Sequence, residues 1–253
     1  MQDQPLGSDL NALIEKYEAC QGYGIRDEML EFGRGFRIFT GNYHDLRKEL
    51  DRAKNPQLWP SLWDEKKKYE RDRFNTEIAR LLLNFATAAK ALVDNTRNFM
   101  NGNYTGTNFR KAYQEHIAQK FASDPLVQFI HNLRNYMLHK SFFAAEIIKI
   151  ESEEGLMFMS YVALMPIRLR AWNEWQAARP YVEALDDKTS LQDVIDLYWN
   201  KVMETWKWYG VQLGQENREA LVEMAKLEDR IRELDPHWES GYGATYTAKS
   251  SSA

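Results

Sequence analysis

From Trp63 to Met100 the chain carries neither proline nor glycine, and Phe74, Ile78, Leu81, Leu82, Phe85, Ala88, Ala89 and Leu92 recur at helical spacing. That pattern predicts one long helix. A helix of this length with one apolar side needs neighbours to cover it. Its first part, DEKKKYERDR, nearly cancels in charge. Such a run is the solvated side of a helix, laced by pairs four residues apart, rather than a nucleic-acid patch. Asn101-Gly102-Asn103 should end the helix, and Gly106 with Thr107 should lead into another that reaches about Phe121.

Ahead of the long helix, Ser8 or Asp9 can cap a first helix through Leu10, Leu13, Ile14 and Tyr17, ending near Gln21-Gly22. A second starts near Arg26. Gly33 and Gly35 weaken it and predict a break, with His44 to Lys54 as a separate helix stopped by Asn55-Pro56. After Lys140 the period changes. Phe142 to Ile150 and Leu156 to Leu164 are rich in β-branched and aromatic residues around a turn at Glu153-Glu154-Gly155, which predicts a β-hairpin. A helix continuing over Phe142 to Glu146 is the competing reading, favoured by Ala144-Ala145. Helices then follow over Ile167 to about Leu185, Ser190 to about Leu213 and Gln215 to about Leu234, the last stopped by Asp235-Pro236. Their Trp and Tyr residues at helical spacing read as core or subunit interface, since a base-stacking platform needs a basic surround that this region lacks.

The fold class expected is therefore mainly α, with one long helix and an inserted β-hairpin. A single mostly helical domain over 1–240 is expected, its core about 63–140, the hairpin about 142–165 and C-terminal helices about 167–235. The polar stretch 241–253 reads as a flexible tail. A chain of 253 residues with 44% hydrophobic content can bury a sizeable core. The net charge of −4 gives no general attraction to nucleic acid, so any such contact must be local. The lone Cys20 excludes an internal disulfide and fits a reducing compartment, with cytoplasm the expectation. MQDQPLGSD lacks the regions of a signal peptide, and the most apolar run is too short to cross a bilayer, so no membrane association is expected.

Familiar catalytic patterns are missing. The glycines of GRG and TGN lack a phosphate loop's setting, and neither His-Glu-x-x-His, a Cys pair nor Gly-x-Ser-x-Gly occurs. No metal site and no cofactor is expected. The informative stretch is Asp124 to Lys140, DPLVQFIHNLRNYMLHK. Asp124 is suited to cap a helix and Pro125 to occupy its first position. Leu126, Phe129, Ile130, Leu133 and Met137 then share one side, with Gln128, Asn132, Asn135 and His139 opposite and Arg134 on the flank. An outer side made of amides, an imidazole and a guanidinium suggests a surface that binds something or meets another subunit. Between Thr107 and Lys140, five Lys and Arg outnumber Glu115 and Asp124 by three.

Arg134-Asn135-Tyr136-Met137-Leu138-His139 resembles the signature of HEPN domains, an Arg, four to six residues and a His, with a polar residue directly after the Arg. The bare spacing also fits Arg37 with His44, Arg110 with His116, and Arg230 or Arg232 with His237. The first match is set apart by its Asn and by its capped, amphipathic helix. The resemblance covers this helix and, more loosely, its helical surroundings. It implies a HEPN-like bundle and a metal-independent endoribonuclease of a bacterial defence or stress system, with an antitoxin or other regulatory partner.

In that reading His139 moves protons, because an imidazole with its ordinary pKa near about 6.5 works on either side of neutrality. Arg134 forks onto phosphate oxygens and Asn135 fixes the imidazole or the phosphate. His131, Tyr136 and Lys140 are candidate substrate contacts. The five-residue step from Arg134 to His139 separates them by about 140° on one helix. The resemblance accordingly implies a homodimer in which two copies of the helix form a composite cleft on RNA, leaving a 2′,3′-cyclic phosphate and a 5′-hydroxyl. The alternative is a non-catalytic helical scaffold or interaction protein.

Overall fold

The computed structural model describes residues 6–142, 144–151 and 158–240. In chain order these form α1 (Leu6–Ala19), α2 (Gln21–Ala53), α3 (Trp59–Trp63), α4 (Lys68–Asn103), α5 (Asn108–Ile117), α6 (Pro125–His139), β1 (Ala145–Glu151), β2 (Phe158–Leu164), α7 (Pro166–Arg170), α8 (Arg179–Ala184), α9 (Leu191–Glu216) and α10 (Arg218–Leu234). The fold is mainly α with one antiparallel hairpin, as the sequence predicts. Its strands pair from Ala145 with Leu164 to Glu151 with Phe158. That pairing excludes the helical reading of Ala145 and Glu146. The turn residues Glu153, Glu154 and Gly155 and the tail 241–253 lie outside the described residues.

The chain divides into two compact units, residues 32–211 and a smaller one formed by 1–31 with 212–253. In the smaller unit α1 packs on α10 around Tyr17, Met224, Leu227 and Ile231. Tyr17 donates its hydroxyl to Glu228 at 2.7 Å, and Arg26 reaches both groups. Burial and that carboxylate push the Tyr17 hydroxyl up to about 12, so it stays a donor. Gly22 lies where a side chain does not fit. A Cβ there would run into the Ala220 carbonyl and stand 2.7 Å from the Met224 Cβ.

The larger unit is built around α6. Leu126, Val127, Phe129, Ile130, Leu133, Tyr136 and Met137 are all buried, each worth about 1.5–3 kcal/mol of transfer free energy if fully removed from water. This side meets α4, α8 and a short 3-10 turn over Gln176–Ala178. The hairpin packs on α4, where Asn75 Oδ1 accepts from the Ile147 N–H at 3.0 Å. At the start of α6, Asp124 accepts from Leu126 and Val127 N–H and pairs with Lys201 at 2.6 Å. Pro125 occupies the first position, as expected.

Three expectations need correction. α2 is not broken at Gly33 or Gly35. Two helical glycines cost about 1 kcal/mol each, and the packing of Phe36 on Trp206 (4.2 Å) and of Tyr43 on Trp199 (4.1 Å) outweighs this. The long helix starts at Lys68 rather than Trp63, because Asp64 accepts from the Lys66 N–H and caps a separate 3-10 turn. The stretch from Ile167 to Leu185 is not one helix. α7 ends at Arg170, where the Trp175 indole N–H bonds the Leu169 carbonyl at 2.6 Å and folds the chain back before α8.

Two substitutions probe this packing. Asp124→Ala should lower unfolding free energy by about 1–2 kcal/mol in urea titrations through loss of the cap, and an unchanged midpoint would show that the cap is dispensable. Gly22→Ala should lower the thermal midpoint far more than Gly24→Ala, whose Cβ would meet nothing within 4 Å.

Candidate functional site

The polar side of α6 splits into two halves that differ in what their side chains do. Near its start the amides serve the backbone. Gln128 donates to the Ala122 carbonyl at 2.7 Å and Asn132 to the Gln128 carbonyl at 3.0 Å. Near its end the groups face outward. Arg134 and Asn135 are half-buried, and His139 and Lys140 are exposed. The Arg134 guanidinium makes one long contact with Asn135 Oδ1, at 3.4 Å, and has no carboxylate partner among the described residues. His139 has no hydrogen-bond partner among them either. The chain turns out of the helix directly after it, with the Lys140 N–H bonded to the Tyr136 carbonyl at 2.8 Å.

An unpaired guanidinium, an adjacent amide and a free imidazole form a donor set for an anion with a proton-transfer group beside it. α6 is regular over this stretch, so the Arg134 to His139 step keeps its angular separation of about 140°. A single copy therefore presents two half-sites, one with Arg134 and Asn135 and one with His139 and Lys140.

Of the expected substrate contacts, Tyr136 is in the core and His131 is half-buried. Tyr136 has no exposed surface; it stacks on Trp175 with ring centroids 5.4 Å apart and meets Trp172 edge-on at 5.7 Å. Burial raises its hydroxyl pKa, opposed by a hydrogen bond with Ser141. It lies next to Leu133 and Met137 on the buried side, which the helical period allows and its polar tip disguises. His131 is turned inward, its Nε2 3.1 Å from the hydroxyl of the buried Tyr198. Burial, helped by the Lys90 charge, pushes its pKa down to about 4. Near pH 7 it is a neutral, half-buried group engaged with Tyr198. Lys140 remains at the surface.

The sequence reading passed over Leu138 and Phe142. Both are exposed, at 45% and 57%, and they flank His139 along the chain. Leu138 on the outward side of an otherwise polar helix surface is the signal that could have found them.

No three His, Cys, Asp or Glu side chains are grouped to hold a metal ion among the described residues. No helix among those residues is long and apolar enough to cross a membrane. No family model, curated protein or solved structure matches this chain.

The His131 environment sets a pH dependence. Its folded pKa near 4 lies below the ordinary 6.5, so between these values the unfolded chain binds the proton and the folded chain does not. Stability contributed by the neutral imidazole is full above about pH 6.5 and is lost as pH falls towards 4, by about 3 kcal/mol in all. His131→Gln, which keeps a partner for Tyr198, should flatten the urea-midpoint profile over that window. Parallel profiles for variant and wild type would contradict the assignment.

Proposed function

We propose that this protein is a metal-independent endoribonuclease of the HEPN kind, acting as a homodimer through a composite Arg/His site. The observation that supports this best is the end of α6, where Arg134, Asn135 and an unpartnered His139 sit on the outward side of a helix otherwise anchored in the core. An imidazole with no partner among the described residues, on so rigid a support, suits function better than stability.

Each role follows from the chemistry. A neutral His139 takes the proton from an RNA 2′-hydroxyl, and the 2′-oxygen attacks the adjacent phosphorus. The phosphorane-like transition state carries extra negative charge, which Arg134 meets with two parallel N–H donors and Asn135 with an amide. The P–O5′ bond breaks, and a protonated His139 from the second copy delivers the proton to the leaving oxygen. The products are a 2′,3′-cyclic phosphate and a 5′-hydroxyl, with the two imidazoles exchanged in protonation state. Two copies are required because one helix points Arg134 and His139 apart. Leu138 and Phe142 supply an apolar contact beside the site for an isologous pairing. The family resemblance adds a bacterial defence or stress setting and a restraining partner.

The test is incubation of labelled single-stranded RNA with wild type, Arg134→Ala and His139→Ala in EDTA, with the product ends identified. Wild type should leave cyclic phosphate ends, and each variant should lose about 100-fold or more in rate while keeping its fold and dimer. Mixing the two inactive variants should leave the rate low, because a mixed dimer keeps a single His139 and the reaction draws one from each copy. If dimeric wild type fails to cut any RNA while both substitutions weaken dimerisation, the surface is a scaffold interface.

A further inference from the structure

An open pocket of about 450 Å³ in the larger unit shares no residue with the α6 surface. Its walls come from the end of α2, the start of α3, strand β2 and the turn leading into α9. Three features mark it as built for a ligand. Lys54 and Lys188 both line it, both are exposed, and neither ammonium has a carboxylate partner among the described residues. Ser160 in its wall is 2% exposed, and its hydroxyl has no hydrogen-bond partner among those residues. An unmet hydroxyl of this kind costs about 1–3 kcal/mol. Finally, Ser190 caps the 26-residue helix α9 at the rim, accepting from the Asp193 N–H at 3.3 Å. The positive end of that helix therefore opens on the same space.

The remaining wall is flat and apolar. Trp59 is half-buried, and its indole N–H is fixed on the Ala53 carbonyl at 3.2 Å, which holds the ring in place. Met159, 53% exposed, also lines the pocket. Tyr161 is held by its hydroxyl on the Lys188 carbonyl at 3.1 Å, and burial together with the Asp186 and Asp193 charges raises its pKa. Asp193 is the one carboxylate in the wall and can accept only from a donor, such as a ribose hydroxyl or a base amino group.

We propose that this pocket binds a nucleotide, its phosphate between Lys54 and Lys188 at the α9 end and its base against Trp59 and Met159. Two cations, one donor-seeking carboxylate and an aromatic wall together match a phosphate, a ribose and a base. The volume is in the range of small-molecule sites, about 300–1,000 Å³. The site stands whether or not Arg134 and His139 cleave RNA, and it accepts either a free nucleotide or one unit of a single strand.

The experiment measures binding of AMP by calorimetry and of a labelled decaadenylate by polarisation, in the His139→Ala background so that no strand is cut. Lys54→Glu with Lys188→Glu should weaken binding by about tenfold or more, and for the strand should reduce the salt slope by about 0.7 for each phosphate no longer neutralised. Met159→Ala, which changes no charge and only an exposed side chain, should weaken binding through the base. AMP binding that both variants weaken identifies a free-nucleotide pocket. Strand binding alone, weakened in the same way, identifies a subsite for single-stranded RNA. Absence of binding by either probe, or binding that neither variant changes, overturns the proposal.

Discussion

The rotation of α6 about its own axis decides what this protein presents to its surroundings, and Trp175 sets that rotation. Its ring has no exposed surface, its indole N–H is tied to the Leu169 carbonyl, and it stacks on both Phe129 and Tyr136. Those two α6 residues are seven apart, two turns along one side of the helix, so a single rigid indole fixes a line of the helix surface rather than a point. Turning the helix by one residue, about 100°, would expose that aromatic line and carry part of the polar side into the core. The loss of several buried aromatic contacts makes such a turn prohibitive. The outward placement of Arg134, Asn135 and His139 is thus a by-product of core packing that involves none of them.

Much of this was legible because it is written in local chemistry. Asp124-Pro125, Asn55-Pro56 and Asp235-Pro236 are punctuated by residues whose backbone demands hardly depend on the rest of the fold. The hairpin was legible through its change of period. What escaped was decided by contacts between residues far apart in sequence. Gly33 and Gly35 look like a break, yet α2 runs through them, held by the stacking of Phe36 on Trp206 and of Tyr43 on Trp199. Nothing near position 35 announces those tryptophans. The chain reversal between α7 and α8 likewise depends on the indole of Trp175, which in sequence reads as one more apolar residue of a helix.

The same distinction runs through the candidate site. Asn135 and His139 could be placed on a helical wheel because they lie well away from the buried arc, whereas Arg134 falls on its flank, between the bearings of Ile130 and Val127. Tyr136 and His131 lie at its edges, where the wheel does not decide and a partner does. Tyr136 goes inward because Trp172 and Trp175 enclose it, and His131 because the Tyr198 hydroxyl meets its Nε2. The Lys54 and Lys188 pocket was beyond sequence reading, since its walls come from four separate segments and its telling feature is a serine without a partner among the described residues.

Charge is used in two ways across the larger unit. Over much of the larger unit, ion pairs connect elements: Arg47 bonds Asp196 at 3.1 Å while Tyr43 bonds the same carboxylate at 2.9 Å, and Lys201 holds Asp124. Those cations are already neutralised. Arg134, Lys140, Lys54 and Lys188 have no carboxylate partner among the described residues, so in a protein of net charge −4 they form local sites where an anion meets unneutralised positive charge. An anion held at two such places at once would be bound far more firmly than at either alone, because the second contact becomes intramolecular.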